Sequence, residues 1–242
     1  MRKQIEMNSD CLPSKVLKDI SNYTGKRLTN ELCLEVEDNV TKIWYDTGLN
    51  DYSYYDSEEY LYVGYNCYRR FSRNYVKLSY NALSEENIGS VLDFGAGIGA
   101  STFLIYRLFD NAVVYYQNLS NTLQFKFARE VMLRNINVKF IDNISQLDDI
   151  DLIFALDLFE HIKDPTRLLQ QMINLNPKFI VTSNSFLVKN YGHHEVFEVE
   201  GNLISKKNIS KIFRDTMINN KYKIDGRCNK FWNRRPVIWS KV

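Results

Sequence analysis

Two rules of spacing divide the chain. Up to about residue 83, apolar residues recur every third or fourth position, as in "CLEVEDNVTKIWYDTG" and "SEEYLYVGYNCYRRFSRNYVKLSYNAL", without strand alternation. That period predicts helices, and Gly48 in "TGLND" predicts a stop between two of them. From about residue 84, short apolar runs alternate with helix-length stretches: "SVLDF", "AVVYY", "VKFI", "DLIFAL", "KFIVTSN", "YKIDG" and "PVIWSK" are the runs, with "ASTFLIYRLF", "NTLQFKFAREVMLRN", "PTRLLQQMINL" and "SKKNISKIFRDTMINN" among them. This alternation predicts an α/β fold, a doubly wound and mostly parallel seven-stranded sheet covered by helices on both faces. The expected organisation is a helical N-terminal extension over residues 1–83, serving as a lid, and an α/β domain over residues 84–242. Ligands are expected at the C-terminal ends of the strands.

Composition adds boundaries. With 45% apolar and 25% charged residues and a net charge of +2, the chain is expected to fold rather than remain disordered. The first residues, "MRKQIEMNSD", lack the apolar stretch of a signal peptide, and the apolar window "DLIFALDLF" is broken by Asp151 and Asp157. Neither secretion nor a membrane span is expected. Cys11, Cys33, Cys67 and Cys228 are far apart and form no CxxC pair, which suits reduced thiols and a cytoplasmic location. Acids crowd residues 31–59, where Lys42 is the one base, and bases crowd the chain after Ser205, against Asp215 and Asp225. Such polarity steers anionic partners, yet scattered bases outside a recognised module read as solvated faces. Nucleic acid is therefore a possible but unfavoured partner, and the oligomeric state is not legible.

The chemistry begins at "VLDFGAGIGAS", where Gly95, Gly97 and Gly99 follow the first strand and open a helix. Glycine removes the Cβ that would collide with a ligand crossing the loop. The spacing of Gly95, Gly97 and Ala100 also satisfies the fingerprint of dinucleotide binders, so spacing does not choose the ligand. Asp93 does: a carboxylate repels a pyrophosphate but attracts an ammonium group, which disfavours a dinucleotide-dependent oxidoreductase. The segment resembles motif I of the class I S-adenosylmethionine-dependent methyltransferases. The resemblance implies a Rossmann-like fold, S-adenosylmethionine as cofactor, and cofactor contacts from Asp93, Gly95, Ala96 and Gly97. Further on, "DLIFALDLFEHIKDPTRLLQQM" is similar to the fourth strand and following helix of the small-molecule branch. That likeness implies Leu156 and Asp157 beside the methionyl part, and Glu160 and His161 on the substrate side. "FIDNIS" matches the segment where an acid meets the adenine amino group, implying Asp142 there with Ile144 packed on the base. The second strand departs from the pattern: it should end in an acid for the ribose hydroxyls but offers Gln117 and Asn118, and the "NLS" register favours Asn118. An amide accepts from one hydroxyl and donates to the other without charge assistance. Arg73, about twenty residues before Asp93, has the distance of the arginine that binds the methionyl carboxylate in similar enzymes.

The resemblance further implies methyl transfer to a small organic acceptor by approximation, with a base assisting. His161, and His193 with His194 in the long connection "SNSFLVKNYGHHEVFEVEGN", belong to segments expected at the top of the sheet. His161 and His193 are the candidate bases. Tyr52, Tyr54, Tyr55, Tyr60, Tyr62, Tyr65, Tyr68 and Tyr75 are expected to pack, though a lid over a hydrophobic acceptor would use the same residues. Asp157, Glu160, His161 and His193 or His194 also loosely resemble the metal ligands of the small-RNA 3′-terminal 2′-O-methyltransferases, with Glu195 standing where a second histidine is usual. The same "EH" pair occurs in metal-free relatives, so no metal is expected. Metal-assisted RNA methylation is the alternative reading, and a silent binding protein that keeps the fold is another.

Overall fold

In the computed structural model, residues 11–47, 56–188, 193–229 and 235–242 are described. The expected stop at Gly48 and the tyrosines Tyr52, Tyr54 and Tyr55 lie outside them. The N-terminal part is helical as its period predicts: α1 Cys11–Thr24, α2 Asn30–Thr47, α3 Glu59–Cys67, a π-helical turn Tyr68–Ser72, and α4 Arg73–Leu83. Then follow β1 Ser90–Phe94, α5 Ala100–Leu108, β2 Val113–Gln117, α6 Leu123–Phe127 with a second π-helical turn Ala128–Met132, β3 Val138–Ile141 and β4 Leu152–Leu156. The chain continues through α7 Pro165–Asn174, β5 Phe179–Ser183, β6 Val196–Val199, β7 Asn202–Ser205, α8 Lys206–Asn219, β8 Tyr222–Asp225 and β9 Val237–Lys241.

Seven strands form one sheet in the order β3-β2-β1-β4-β5-β9-β8. The first five run parallel, and β9 is antiparallel to both β5 and β8. The order reverses between β1 and β4, the switch point where ligands of such sheets bind. Because both faces are covered, successive residues of a central strand serve different cores. Val91, Leu152, Phe154 and Val181 pack towards α5 and the N-terminal helices, while Leu92, Ile153, Ala155 and Ile180 pack with Leu169, Met172, Phe213 and Met217 of α7 and α8. That two-sided burial explains the unbroken apolar runs.

The N-terminal helices share the first of these cores: Val16, Ile20, Leu61, Tyr62 and Tyr65 lie in one cluster with Val91, Ile98, Phe127 and Phe154. Polar bonds fix them to one another, Tyr65 Oη to Asn30 Oδ1 at 2.8 Å and Asn66 Nδ2 to the Cys33 carbonyl at 2.8 Å. The connection after β5 holds more structure than its sequence promised. β6 and β7 form a separate antiparallel hairpin, turning at Glu200 and Gly201 with φ of 51° and 78°.

Candidate functional site

The three glycines are bare for three different reasons. All adopt positive φ, 69° at Gly95, 51° at Gly97 and 78° at Gly99, where L side chains are strained. A Cβ on Gly95 would stand 2.8 Å from Leu158 Cδ1, and one on Gly99 would press on Ala128 and Leu133 at 3.0–3.1 Å. A Cβ on Gly97 would meet nothing closer than Gln124 Oε1 at 3.7 Å, so the space beside Gly97 is the part left for a ligand. Strand β2 anchors the loop: the Ala96 N–H donates to the Gln117 carbonyl at 3.0 Å, and Tyr116 Oη donates to the Gly97 carbonyl at 2.7 Å. Asn118 Nδ2 also donates to that carbonyl at 3.3 Å. The donor half of the amide is therefore engaged by the loop, and Oδ1 remains for a ligand.

Asp93, the residue before the end of β1, is almost fully buried and accepts a hydrogen bond from Thr102 Oγ1 at 2.6 Å. Burial lifts its carboxyl to about 7, against the pull of the threonine hydroxyl. It faces a cavity of about 780 Å³ that runs along the strand tips. Gly95, Ala96, Gly97, Asn118, Leu156 and Asp157 line it with Asp93, and so do His161 and His193. The structure thus brings the glycine loop and the expected bases to one space.

Three expected residues lie elsewhere. Arg73 does not line the cavity, whereas Arg70 does. The intervening π-helical turn widens the helix and shifts which residue faces inward, something a residue count cannot register. Asp142 is exposed, and its N–H donates to Gln146 Oε1 at 3.0 Å within a turn capped by Asn143. Ile144 belongs to the core with Phe94 and Ile141. Neither lines the cavity. Leu119, 45% exposed beside Asn118, does, and its sequence signal was only an apolar residue after the strand. Tyr60 of α3, one of the tyrosines expected to pack or to serve a lid, lines the cavity too, and its neighbours Val63 and Gly64 were missed as wall residues. A lone glycine in a helical pattern is the signal for such close approach: a Cβ on Gly64 would stand 2.8 Å from Ile98 Cγ2. Gln124 Nε2 holds the same helix by donating to the Tyr60 carbonyl at 2.9 Å.

At the other end, the Asp157 backbone has φ 54°, and its N–H donates to the carbonyl and the hydroxyl of Ser183, each at 3.1 Å. Glu160 is fully buried, and its Oε1 accepts from the Ser185 N–H at 2.7 Å. Burial and then the neighbouring Asp157 raise the Glu160 carboxyl well above the usual range, and burial raises the Asp157 carboxyl as well. The rings of His161 and His193 stand perpendicular, 5.0 Å apart. Burial, then His161, lowers His193 to about 4, leaving it neutral at pH 7. Its Nδ1 lies 3.3 Å from the Val188 carbonyl. A carbonyl only accepts, so Nδ1 carries the proton and Nε2 presents a lone pair. His194 points away from the cavity; its N–H donates to the Glu160 carbonyl at 3.0 Å and its ring bonds the His161 backbone. Asp157, His161 and His193 place one ligand atom each within 4.8 Å of one another, a set able to hold a divalent ion.

No protein-family profile matches the sequence, and no curated protein matches it. Solved structures do match. A putative S-adenosylmethionine-dependent methyltransferase of Methanococcus maripaludis is 13% identical, with TM-score 0.54 over 78% of this chain and 94% of its own. The small RNA methyltransferase HEN1 is 15% identical, with TM-score 0.51 over 72% of this chain; the match spans 25% of HEN1. Magnesium protoporphyrin IX methyltransferase of Synechocystis PCC 6803 is 14% identical over 89% of this chain and 99% of its own, with TM-score 0.47. The chain has the fold of the class I methyltransferases.

Proposed function

We propose that this fold works here as an enzyme, transferring the methyl group of S-adenosylmethionine to a small organic acceptor. The observation that carries the reading is the single cavity joining the bare side of Gly97 and the buried Asp93 to the His161–His193 pair. The residues present fit the cofactor. Asp93 is a buried carboxyl whose one recorded partner is a hydroxyl, which suits the ammonium group. Arg70 suits the methionyl carboxylate, in the role expected of Arg73. Asn118 Oδ1 suits a ribose hydroxyl, and Leu119 suits the face of the base.

The sulfonium supplies an electrophilic methyl; everything else falls to the chain. The loop and α3 fix the donor side, and the segments after β4 and β5 fix the acceptor side, so that attack becomes effectively unimolecular. His193 Nε2 takes the proton of an O–H or N–H nucleophile as the new bond forms. Calorimetric titration tests the reading. S-adenosylhomocysteine is expected to bind one to one with a Kd within about 1 μM–1 mM, the usual range of enzyme ligands. Asp93→Asn is expected to weaken it about tenfold by removing the charge while keeping the hydrogen bond. A folded protein that binds neither S-adenosylmethionine nor its demethylated product would instead be a silent binding protein.

A second reading, metal-assisted methylation of an RNA terminus, draws on the convergence of Asp157, His161 and His193. In that case these residues would hold a divalent cation, which would supply a Lewis acid for the ribose hydroxyls. Methylation of short RNAs that stops on chelation would select it.

A further inference from the structure

We infer that Tyr68 is a binding residue for the donor, its hydroxyl donating to a carboxylate oxygen of the methionyl part; this rests on the methyl-transfer reading above. Tyr68 is 2% exposed and lines the cavity, yet its hydroxyl oxygen is buried with no hydrogen-bond partner among the described residues. Other buried tyrosines are served. Tyr65 Oη donates to Asn30 Oδ1, Tyr116 Oη to the Gly97 carbonyl, and Tyr222 Oη to the Pro177 carbonyl. A buried phenol normally finds an acceptor, because without one it loses its hydration and gains nothing in return. Phenylalanine would fill the same space without that loss. A tyrosine at this wall therefore calls for an acceptor that the cavity's ligand brings.

The surroundings select an anion. Tyr68 opens the first π-helical turn, and the Arg73 N–H donates to the Tyr68 carbonyl across it, so the wider turn sets Arg73 where an α-turn would set Ser72. Burial raises the phenol far above its usual range, and the Arg73 guanidinium adds positive potential beside it. An O–H donor in a positive field suits a charged acceptor best. Arg73 does not line the cavity, so its charge supports the ligand without touching it. Position narrows the anion further. The same turn packs on α5, whose Thr102 holds Asp93, the carboxyl proposed to meet the ammonium group. Ammonium and carboxylate of the methionyl part share one carbon, so the anion beside Asp93 is that carboxylate. It has two oxygens. Arg70, whose guanidinium Glu37 already holds at 3.3 Å, suits one of them, and Tyr68 takes the other.

Protein-detected NMR titration, which follows weak as well as tight binding, tests this on the wild-type protein and Tyr68→Phe. The two ligands are S-adenosylhomocysteine and its decarboxylated analogue, which keeps the thioether and the amino group. Tyr68→Phe is expected to weaken S-adenosylhomocysteine about ten- to a hundredfold, the range of a hydrogen bond to a charged group, and to leave the analogue within about twofold. Thermal melts of the ligand-free proteins are expected to show Tyr68→Phe at least as stable as wild type, because the fold makes no use of the hydroxyl. Equal losses for the two ligands, no loss for either, or a ligand-free variant that melts earlier than wild type overturns the inference. A wild-type protein that binds neither ligand overturns the methyl-transfer reading beneath it.

Discussion

Asp93 and Asn118 show how single residues bend the general pattern to this chain. A buried carboxyl held at about 7 against an unfolded value near 4 binds a proton that the unfolded chain does not. Its contribution to stability is therefore complete below about pH 4 and is lost as pH rises through about 7. Ligand binding is expected to have the opposite sign, because the ammonium group proposed to meet Asp93 needs the ionised form. S-adenosylhomocysteine affinity is expected to rise up to about tenfold from pH 6 to 7.5, before the ligand's own amino group begins to titrate, and to stay flat in Asp93→Asn. Calorimetry across that range decides it. Asn118 explains its own departure from an acid: a carboxylate has no N–H to give the Gly97 carbonyl. Asn118→Asp is expected to lose about 1 kcal/mol of stability and to bind S-adenosylhomocysteine more weakly, read from thermal melts and titration. Asp93 and the glycines were legible because strand, turn and helix are local in sequence. The place of Arg70 on the cavity wall was not, because a π-helical turn changes the facing residue without changing composition, and the residue count pointed to Arg73. Asp142 and Ile144 were named by likeness alone; a local capping turn holds Asp142 and the core holds Ile144, and neither lines the cavity.

At the scale of elements, two points of the chain after β5, Ser185 and His194, are fastened to the turn after β4. Ser185 N–H meets Glu160 Oε1, His194 N–H meets the Glu160 carbonyl, and the His194 ring meets the His161 backbone. Adjacent histidines thus divide the work: His193 faces the cavity and His194 sets the height of His161. Asparagine places an N–H where the imidazole Nδ1 stands, so His194→Asn is expected to keep turnover, while His194→Phe loses about tenfold with cofactor affinity intact. Steady-state kinetics beside calorimetry separates the two. The central strands β1, β4 and β5 were legible because burial on both faces leaves unbroken apolar runs, and the others as short apolar-rich runs between helix-length stretches. The hairpin of β6 and β7 was not, although Glu200-Gly201 is a two-residue turn with both φ positive. Glutamate is an unusual first residue for such a turn, where asparagine or aspartate is the common signal.

Across the whole molecule, the break in pattern near residue 84 is a change of secondary structure rather than a gap in the core. Leu61, Tyr62 and Tyr65 complete the packing of Val91, Ile98 and Phe127, and Arg227 ties the C-terminal part to Glu86 at 2.7 Å. A chain beginning at residue 84 would expose that apolar face; it is expected to melt without a cooperative transition, as calorimetric scanning would show. The uneven charge was legible, but its partners were not: Glu37 pairs with Arg70 and Glu58 with Lys26, so part of the acidity is already matched internally. The seat of α3 on the glycine loop also has a kinetic side. With Gly64 pressed on Ile98 and Gln124 holding Tyr60, a cofactor bound as proposed beneath the helix is expected to leave only when that contact opens, which would make its release a candidate for the slow step of the proposed reaction. Gly64→Ala would place a methyl 2.8 Å from Ile98 Cγ2 and prop the helix outward. Stopped-flow measurement is expected to show S-adenosylhomocysteine dissociating several-fold faster, on the order of 1 kcal/mol in the release barrier, although the substitution touches neither the reacting atoms nor the histidines.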